Sequence, residues 1–229
     1  KKVYEGKWFG DMMSGFLCHE RMEGMAGFFK EVDSNGQLIS VSEYDELNVY
    51  RNGKCFDMEN GKVKRVCLYE NGEMKRVMME FNGSTMTEYD SNGQIVYEGG
   101  FKGDMKSGYM REGKGKEYVV SKSSVTELTT DPKETLILTG SWENGKKNGV
   151  FFEVDVSGTV KRKLMYVNDE MKRVVIEFRG TTMIEFGENG KREYEGEFKG
   201  DMEIGFVREG KGYEFDATGN VEQECVYEN

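Results

Sequence analysis

The one histidine of the chain, His19, stands beside Cys18, and a thiol next to an imidazole is the pairing that nucleophilic catalysis uses. In an extended segment consecutive side chains point to opposite faces, so these two neighbours are not placed to share a proton. A metal centre is no better supplied. The four cysteines (Cys18, Cys55, Cys67 and Cys225) lie far apart in no Cys-x-x-Cys pattern, and no second histidine completes a tetrahedral set. Asp33-Ser34-Asn35-Gly36 and Asp90-Ser91-Asn92-Gly93 open like calcium loops. Their twelfth position, however, would be Tyr44 or Phe101, and the glycine comes two places early, so both read as turns. Neither phosphate-binding glycine pattern stands where a strand meets a helix. Paired carboxylates would suit glycoside hydrolysis, but among 42 acidic residues their presence discriminates nothing. No catalytic residue, metal or cofactor is assigned, and the chain is read as non-enzymatic.

Binding chemistry is better represented. Lys64, Arg65, Lys75 and Arg76 recur 97 residues later as Lys161, Arg162, Lys172 and Arg173, with Lys163 adjoining. Aligned along one edge, these cations would suit anionic lipid or phosphoinositide headgroups. The plainer reading pairs them across strands with Glu73, Glu80, Glu170 and Glu177. A net charge of −10 gives polyanions no general attraction, which excludes nucleic acid as a bulk partner. No run of about 18 apolar residues is present, so nothing is read as a membrane-spanning helix. Scattered cysteines fit a reducing, cytoplasmic compartment, with peripheral membrane contact left open. Asn82-Gly83-Ser84 has the form of a glycan acceptor and equally that of a hairpin turn.

The elements that must position these residues follow from repetition. The block LYENGEMKRVMMEF, starting at Leu68, aligns without a gap with MYVNDEMKRVVIEF, starting at Met165, and the match extends through EYEGEFKGDM of the second copy. Tyr4-Glu5-Gly6-Lys7-Trp8-Phe9-Gly10-Asp11-Met12 answers the segments starting at Tyr97 and Tyr194. The expected organisation is one continuous array over 1–229, with long units 4–96 and 97–193 and a partial unit 194–229, read as a piece of a longer protein. Asn-Gly dipeptides such as Asn71-Gly72, Asn92-Gly93 and Asn189-Gly190 supply the positive φ that tight hairpins require. The runs between them are rich in Val, Ile, Tyr, Phe and Thr and read as short strands.

At the hairpin near Gly180, a three-residue loop of Arg179-Gly180-Thr181 places Val174, Ile176 and Phe178 on a face with Thr182, Ile184 and Phe186. The equivalent set is Val77, Met79, Phe81, Thr85, Thr87 and Tyr89. Two stretches, 39–50 and 119–136, break the glycine rhythm; the longer reads as an exposed connection or an irregular strand pair, and both are places where a surface insertion on a repeat array can carry function.

In Tyr97-Glu98-Gly99-Gly100-Phe101 alternation sets Tyr97, Gly99 and Phe101 on one face, and Gly99 leaves room for a ring. Tyr4, Gly6, Trp8 and Tyr194, Gly196, Phe198 repeat the arrangement, and Gly140 with Trp142 stands in Leu138-Thr139-Gly140-Ser141-Trp142-Glu143-Asn144-Gly145. This pattern resembles the MORN (membrane occupation and recognition nexus) repeat, Tyr-x-Gly-x-Trp-x-x-Gly-x-x-x-Gly. In the copies at 4–15, 97–108 and 194–205, Gly-Asp-Met displaces the turn glycine to Gly10, Gly103 and Gly200. The resemblance implies an all-β fold, an elongated array of antiparallel β-hairpins forming a single twisted sheet or solenoid. It also implies use as a protein-interaction scaffold with no catalytic residue of its own.

The expected function is binding of a protein partner through the aromatic sheet face or groove, by Tyr4, Trp8, Tyr97, Phe101, Trp142, Tyr194 and Phe198. Lipid binding through the Lys/Arg clusters and a carbohydrate-binding surface built from exposed rings are the alternatives, and exposed strand edges leave a homodimer open.

Overall fold

The computed structural model describes residues 7–9, 17–21, 28–33, 35–44, 50–120 and 135–228, and every regular element among them is a β-strand. The chain divides into two compact units, Lys1–Met110 and Arg111–Asn229. The first contains β1 (Lys7–Phe9), β2 (Leu17–Arg21), β3 (Phe28–Val32), β4 (Leu38–Tyr44), β5 (Arg51–Glu59), β6 (Lys62–Glu70), β7 (Glu73–Asn82), β8 (Thr85–Tyr89), β9 (Ile95–Asp104) and the opening of β10 (Gly108–Val120). Each strand pairs antiparallel with the next in chain order. The second unit repeats the plan. It takes the rest of β10, then β11 (Thr135–Glu143), β12 (Lys146–Lys147), β13 (Gly149–Asp155), β14 (Val160–Val167), β15 (Glu170–Arg179), β16 (Thr182–Phe186), β17 (Arg192–Asp201), β18 (Gly205–Phe215) and β19 (Val221–Tyr227). The all-β hairpin array expected from the sequence is therefore the observed architecture.

Turn chemistry sets this plan. Glu59 faces Lys62 across Asn60-Gly61, whose φ values of 52° and 74° are those of a type I′ hairpin turn, and Glu143 faces Lys146 across Asn144-Gly145 at 52° and 81°. Five-residue turns are closed by an aspartate instead. The Asp90 carboxylate accepts the backbone N–H of Asn92 (2.8 Å) and Gln94 (2.9 Å), and Asp33 does the same for Asn35 and Gln37. The two calcium-like segments are thus Asx-closed turns.

Two expectations are corrected. The hairpin at Gly180 has a two-residue loop: Arg179 pairs with Thr182 and Phe178 with Met183, while Gly180, at φ 61°, takes the first central position. Asn82-Gly83-Ser84-Thr85 is built alike, with Asn82 facing Thr85, so Phe81 shares its face with Met86 rather than with Thr85 or Thr87. The physical reason is that β16 buries adjacent residues, Met183 and Ile184, on its two faces, so alternation did not select a register. Second, the stretch 39–50 is not wholly a surface insertion. Its first half lies in β4, where Ser40, Val41 and Ser42 are buried. The compact boundary after Met110 keeps Phe101 and Tyr109 with Phe81 in the first unit. The stretch 121–134 lies outside the described residues.

Each unit has its own core. In the first, Cys55, Phe56, Val66, Cys67, Met86 and Tyr97 are buried; in the second, Trp142, Phe151, Leu164, Ile176, Met183 and Tyr194. Glycines opposite these rings make the packing possible. A methyl group on Gly140 would lie 2.6 Å from the ring of Phe151, and one on Gly212 would lie 2.6 Å from Cζ of Tyr194.

Candidate functional site

Strands of unequal length open the same groove in both units. The last pair of β8 with β9 is Thr85 with Gly100, and β9 runs on through Phe101 to Asp104. In the second unit the last pair of β16 with β17 is Thr182 with Glu197, after which Phe198 to Asp201 pair onward with β18. The overhanging hairpin needs Gly103 and Gly200. Both take positive φ (103° and 105°), and any Cβ there would strike the carbonyl oxygen of Gly108 or Gly205. Beyond them the loop is tied by Asp104, which accepts the N–H groups of Lys106 and Ser107 at 2.8 Å, and by Asp201, which accepts those of Glu203 (2.8 Å) and Ile204 (3.0 Å). These backbone bonds hold both carboxyls below the usual range.

Three rings form the floor. Phe81, Phe101 and Tyr109 have centroid separations of 4.9, 4.5 and 5.8 Å, and Phe178, Phe198 and Phe206, each 97 positions later, have 5.1, 4.5 and 5.8 Å. Val63 and Val160 complete the two floors. The first groove, of about 560 Å³, has Glu59, Lys62 and Lys64 on its rim; the second, of about 310 Å³, has Thr159, Lys161 and Asp201. Lys64 lies 3.5 Å from Glu59, and Lys161 lies 3.0 Å from Asp155. Hydrogen bonds from Ser157 and Lys161 hold the Asp155 carboxyl far below the usual range. Burial, with Asp104 nearby, raises the Tyr109 phenol.

The predicted partner-binding rings separate into two groups. Phe101 and Phe198 are half-buried and line the grooves. Tyr97, Trp142 and Tyr194 are sealed in the cores at 0%, 2% and 0% exposure, which corrects the expectation that their rings face a partner. Tyr194 is held by its hydroxyl, which donates to the Glu197 carbonyl at 3.0 Å, and by Arg208, whose guanidinium lies 4.3 Å from the ring centroid. Arg208 in turn donates to Glu185 (2.6 Å) and Glu214 (2.7 Å). Tyr4 lies outside the described residues. Trp8 is placed only by its backbone in β1, opposite Cys18.

The basic clusters are engaged internally. Arg65 meets Asp57 at 2.6 Å, Lys75 meets Glu73 at 2.9 Å, Lys172 meets Glu170, and Arg162 forks onto both oxygens of Glu153 at 2.8 and 2.7 Å. Arg76 and Arg173 donate to the carbonyls of Asp90 and Phe186, and Lys163 lies 6.0 Å from the Phe152 ring centroid. Glu73 and Glu170 do engage the clusters, but along their own strands, two residues away, and not across strands as expected. Glu80 accepts from Tyr89 and Glu177 from Arg179 instead. Sequence reasoning did not single out Phe178, Tyr109 or Phe206 as site residues. The signal available was the aromatic character held at matched positions of the 97-residue offset.

A chain of consecutive antiparallel hairpins that repeats one groove is a β-hairpin repeat protein. The family model of the MORN repeat variant matches residues 84–102, which carry Tyr97, Gly99 and Phe101, and residues 208–229. These two segments are similar to the MORN repeat variant. No curated protein matches it. Among solved structures, the ASR alternansucrase bound to isomaltononaose is similar at 13% identity over 90% of this chain, with a TM-score of 0.20. The chain spans 16% of that protein's length, and the likeness carries no argument about function. Among the described residues no helix is long and apolar enough to cross a membrane.

Proposed function

We propose that the chain is a non-enzymatic scaffold that holds a partner protein through its two aromatic grooves. The observation that supports this is the recurrence, at one offset, of a three-ring floor left open beside a chain-reversing hairpin, in grooves whose volumes suit side-chain anchors. Half-buried aromatics in a concave, partly desolvated setting are the groups on which binding energy concentrates. Phe101 and Phe198 are retained from the residues expected to bind; Tyr97, Trp142 and Tyr194 act by building the sheet that carries them. The lipid reading weakens because the recurrent cations are engaged by the chain's own acids, carbonyls and a ring, and the carbohydrate reading loses those three core rings. A cytoplasmic setting, in which the cysteines stay reduced, accompanies the proposal.

The test is affinity capture from native extract with the wild-type chain and with Phe101→Ser/Phe198→Ser, both checked by circular dichroism and thermal melting. A partner retained by the wild type and lost from the folded variant is the expected result. Equal retention by both would refute the groove as the binding surface. Flotation with phosphoinositide vesicles, abolished by charge reversal at Lys161, Arg162 and Lys163, would favour the lipid reading instead.

A further inference from the structure

The two grooves share a floor but not a rim, and the difference is one of charge. Lys62 is exposed on the lip of the first groove, and its ammonium makes no ion pair or hydrogen bond among the described residues. Its neighbour Lys64 is already turned to Glu59. In the second groove the position of Lys62 is taken by Thr159, whose hydroxyl lies 2.9 Å from that of Ser157, and the lysine corresponding to Lys64, Lys161, is occupied by Asp155. Asp201 adds a carboxylate to that rim, whereas its counterpart Asp104 does not line the first groove. One groove therefore has an uncompensated cation beside an aromatic floor, on a chain whose net charge is −10, and the other has none.

The lip turns differ as well. Asn60-Gly61 closes the first in two residues, while Asp155 to Thr159 form a longer turn over the second.

Building on the groove reading above, we infer that the first groove selects an extended, acidic segment of a partner protein. Such a segment seats an aromatic or branched aliphatic side chain on Phe81, Phe101 and Tyr109 and sets a carboxylate against Lys62. The second groove takes the same apolar anchor without a preference for acid. A local positive site on an acidic chain discriminates by charge: it attracts an acidic segment, while the surrounding carboxylates repel competing ones that lack the anchor.

Val63 and Val160 supply separate reporters, since each lines one groove. The full chain, labelled with ¹³C at valine methyl groups, is titrated with an acetylated, amidated decapeptide bearing Leu-Phe at its centre and Asp and Glu on both flanks. A counterpart has Lys and Arg on the flanks. The acidic peptide is expected to shift Val63 at lower concentration than the basic one, and Val160 is expected to show no such preference. Lys62→Glu should weaken the Val63 response to the acidic peptide at least two- to fivefold, the range of one partly exposed ion pair. Thr159→Lys should bring the preference to Val160, and both effects should shrink in high salt. Both substitutions fall on exposed lip positions, so loss of folding does not explain a change. Equal response of Val63 to the two peptides, or no effect of Lys62→Glu, would overturn the charge selection and leave the grooves as binding sites. Silence of both valines toward both peptides would overturn the groove reading itself. Shifts that follow protein concentration without peptide would do so too, by making a second copy of the chain the occupant.

Discussion

Gly140→Ala isolates the contact on which the Gly-x-Trp strand depends. Gly140 does not take a positive φ, so alanine is free of backbone strain there, and by restricting the unfolded chain it should by itself stabilise by about 0.4–1 kcal/mol. The structure predicts the opposite sign. The new methyl would meet Cδ1 and Cγ of Phe151 at 2.6 Å and Cε1 at 2.7 Å, about 1 Å inside an ordinary carbon–carbon contact. Phe151 is fully buried, with Trp142 edge-on at 4.8 Å and Tyr166 at 5.2 Å, so its ring cannot retreat without breaking two aromatic contacts worth about 0.5–1.5 kcal/mol each. Overpacking of this kind costs about 1–3 kcal/mol, and the net expectation is a loss of about 1–2 kcal/mol. Trp142 reports on the site directly. In a Trp8→Phe background its emission, followed through a urea titration, gives the midpoint and slope of local unfolding. Gly140→Ala/Phe151→Leu, which makes room for the methyl, should recover part of the loss beyond what the two single changes predict. A neutral or stabilising Gly140→Ala, or strict additivity in the double variant, would refute the ring-over-glycine account.

Removing the charge at Glu31, which is 1% exposed and hydrogen-bonded by Arg51, Ser40 and Tyr44, strands the guanidinium. Glu31→Gln should therefore cost about 3 kcal/mol in a denaturant melt of the first unit's transition. Burial alone would raise the Glu31 carboxyl, but those three donors outweigh it and hold the folded value below 4.5. The folded chain thus binds fewer protons than the unfolded one in that range. Its contribution to stability should be complete above about pH 4.5 and fade as pH falls further, with a shallower acid slope in Glu31→Gln. Gly200→Ala joins a φ of 105° to a collision with the Gly205 carbonyl and should lower stability by about 1–3 kcal/mol, with loss of the Val160 peptide response; an unchanged melt would show that the hairpin overhang is not fixed as described.

The fold was legible where one residue type decides a local conformation. Asn60-Gly61 and Asn144-Gly145 turn as their dipeptides require, and Gly103 and Gly200 of the Gly-Asp-Met segments take the positive φ that their displacement implied. Register at Gly180 was not legible, because choosing between loops by apolar faces presumes that one face is dry. With Met183 and Ile184 both buried, either register hides an apolar residue. The site was half legible. Tyr97 and Phe101 alternate onto one face in the sequence, yet one is sealed and the other lines a groove. What separates them is the length of the neighbouring strand: β8 reaches Gly100 and stops, so the chain beyond has no cover on that side. Strand ends depend on pairing with a partner strand, and a single segment's residue pattern does not contain that.

The same dependence explains how a repeated site can diverge without losing its scaffold. The floor rings are fixed by packing among three strands, and Phe178 and Phe206 at 4.5 Å reproduce Phe81 and Tyr109 at 4.5 Å even though Tyr has become Phe. The rim comes from a turn that contributes little to that packing. Replacing Asn60-Gly61 by the Asp155 to Thr159 turn exchanges Lys62 for Thr159 while Val63 and Val160 stay in place. Specificity is a difference of affinities, and changing a lip charge while preserving the anchor pocket is a direct way to create one. On this reasoning, transplanting the Asn60-Gly61-Lys62 lip into the second unit in place of residues 156–159 should leave its melt nearly unchanged and make the Val160 response to acidic peptide match that of Val63. A transplant that folds but keeps the original Val160 response would mean that the floor, not the rim, sets the preference.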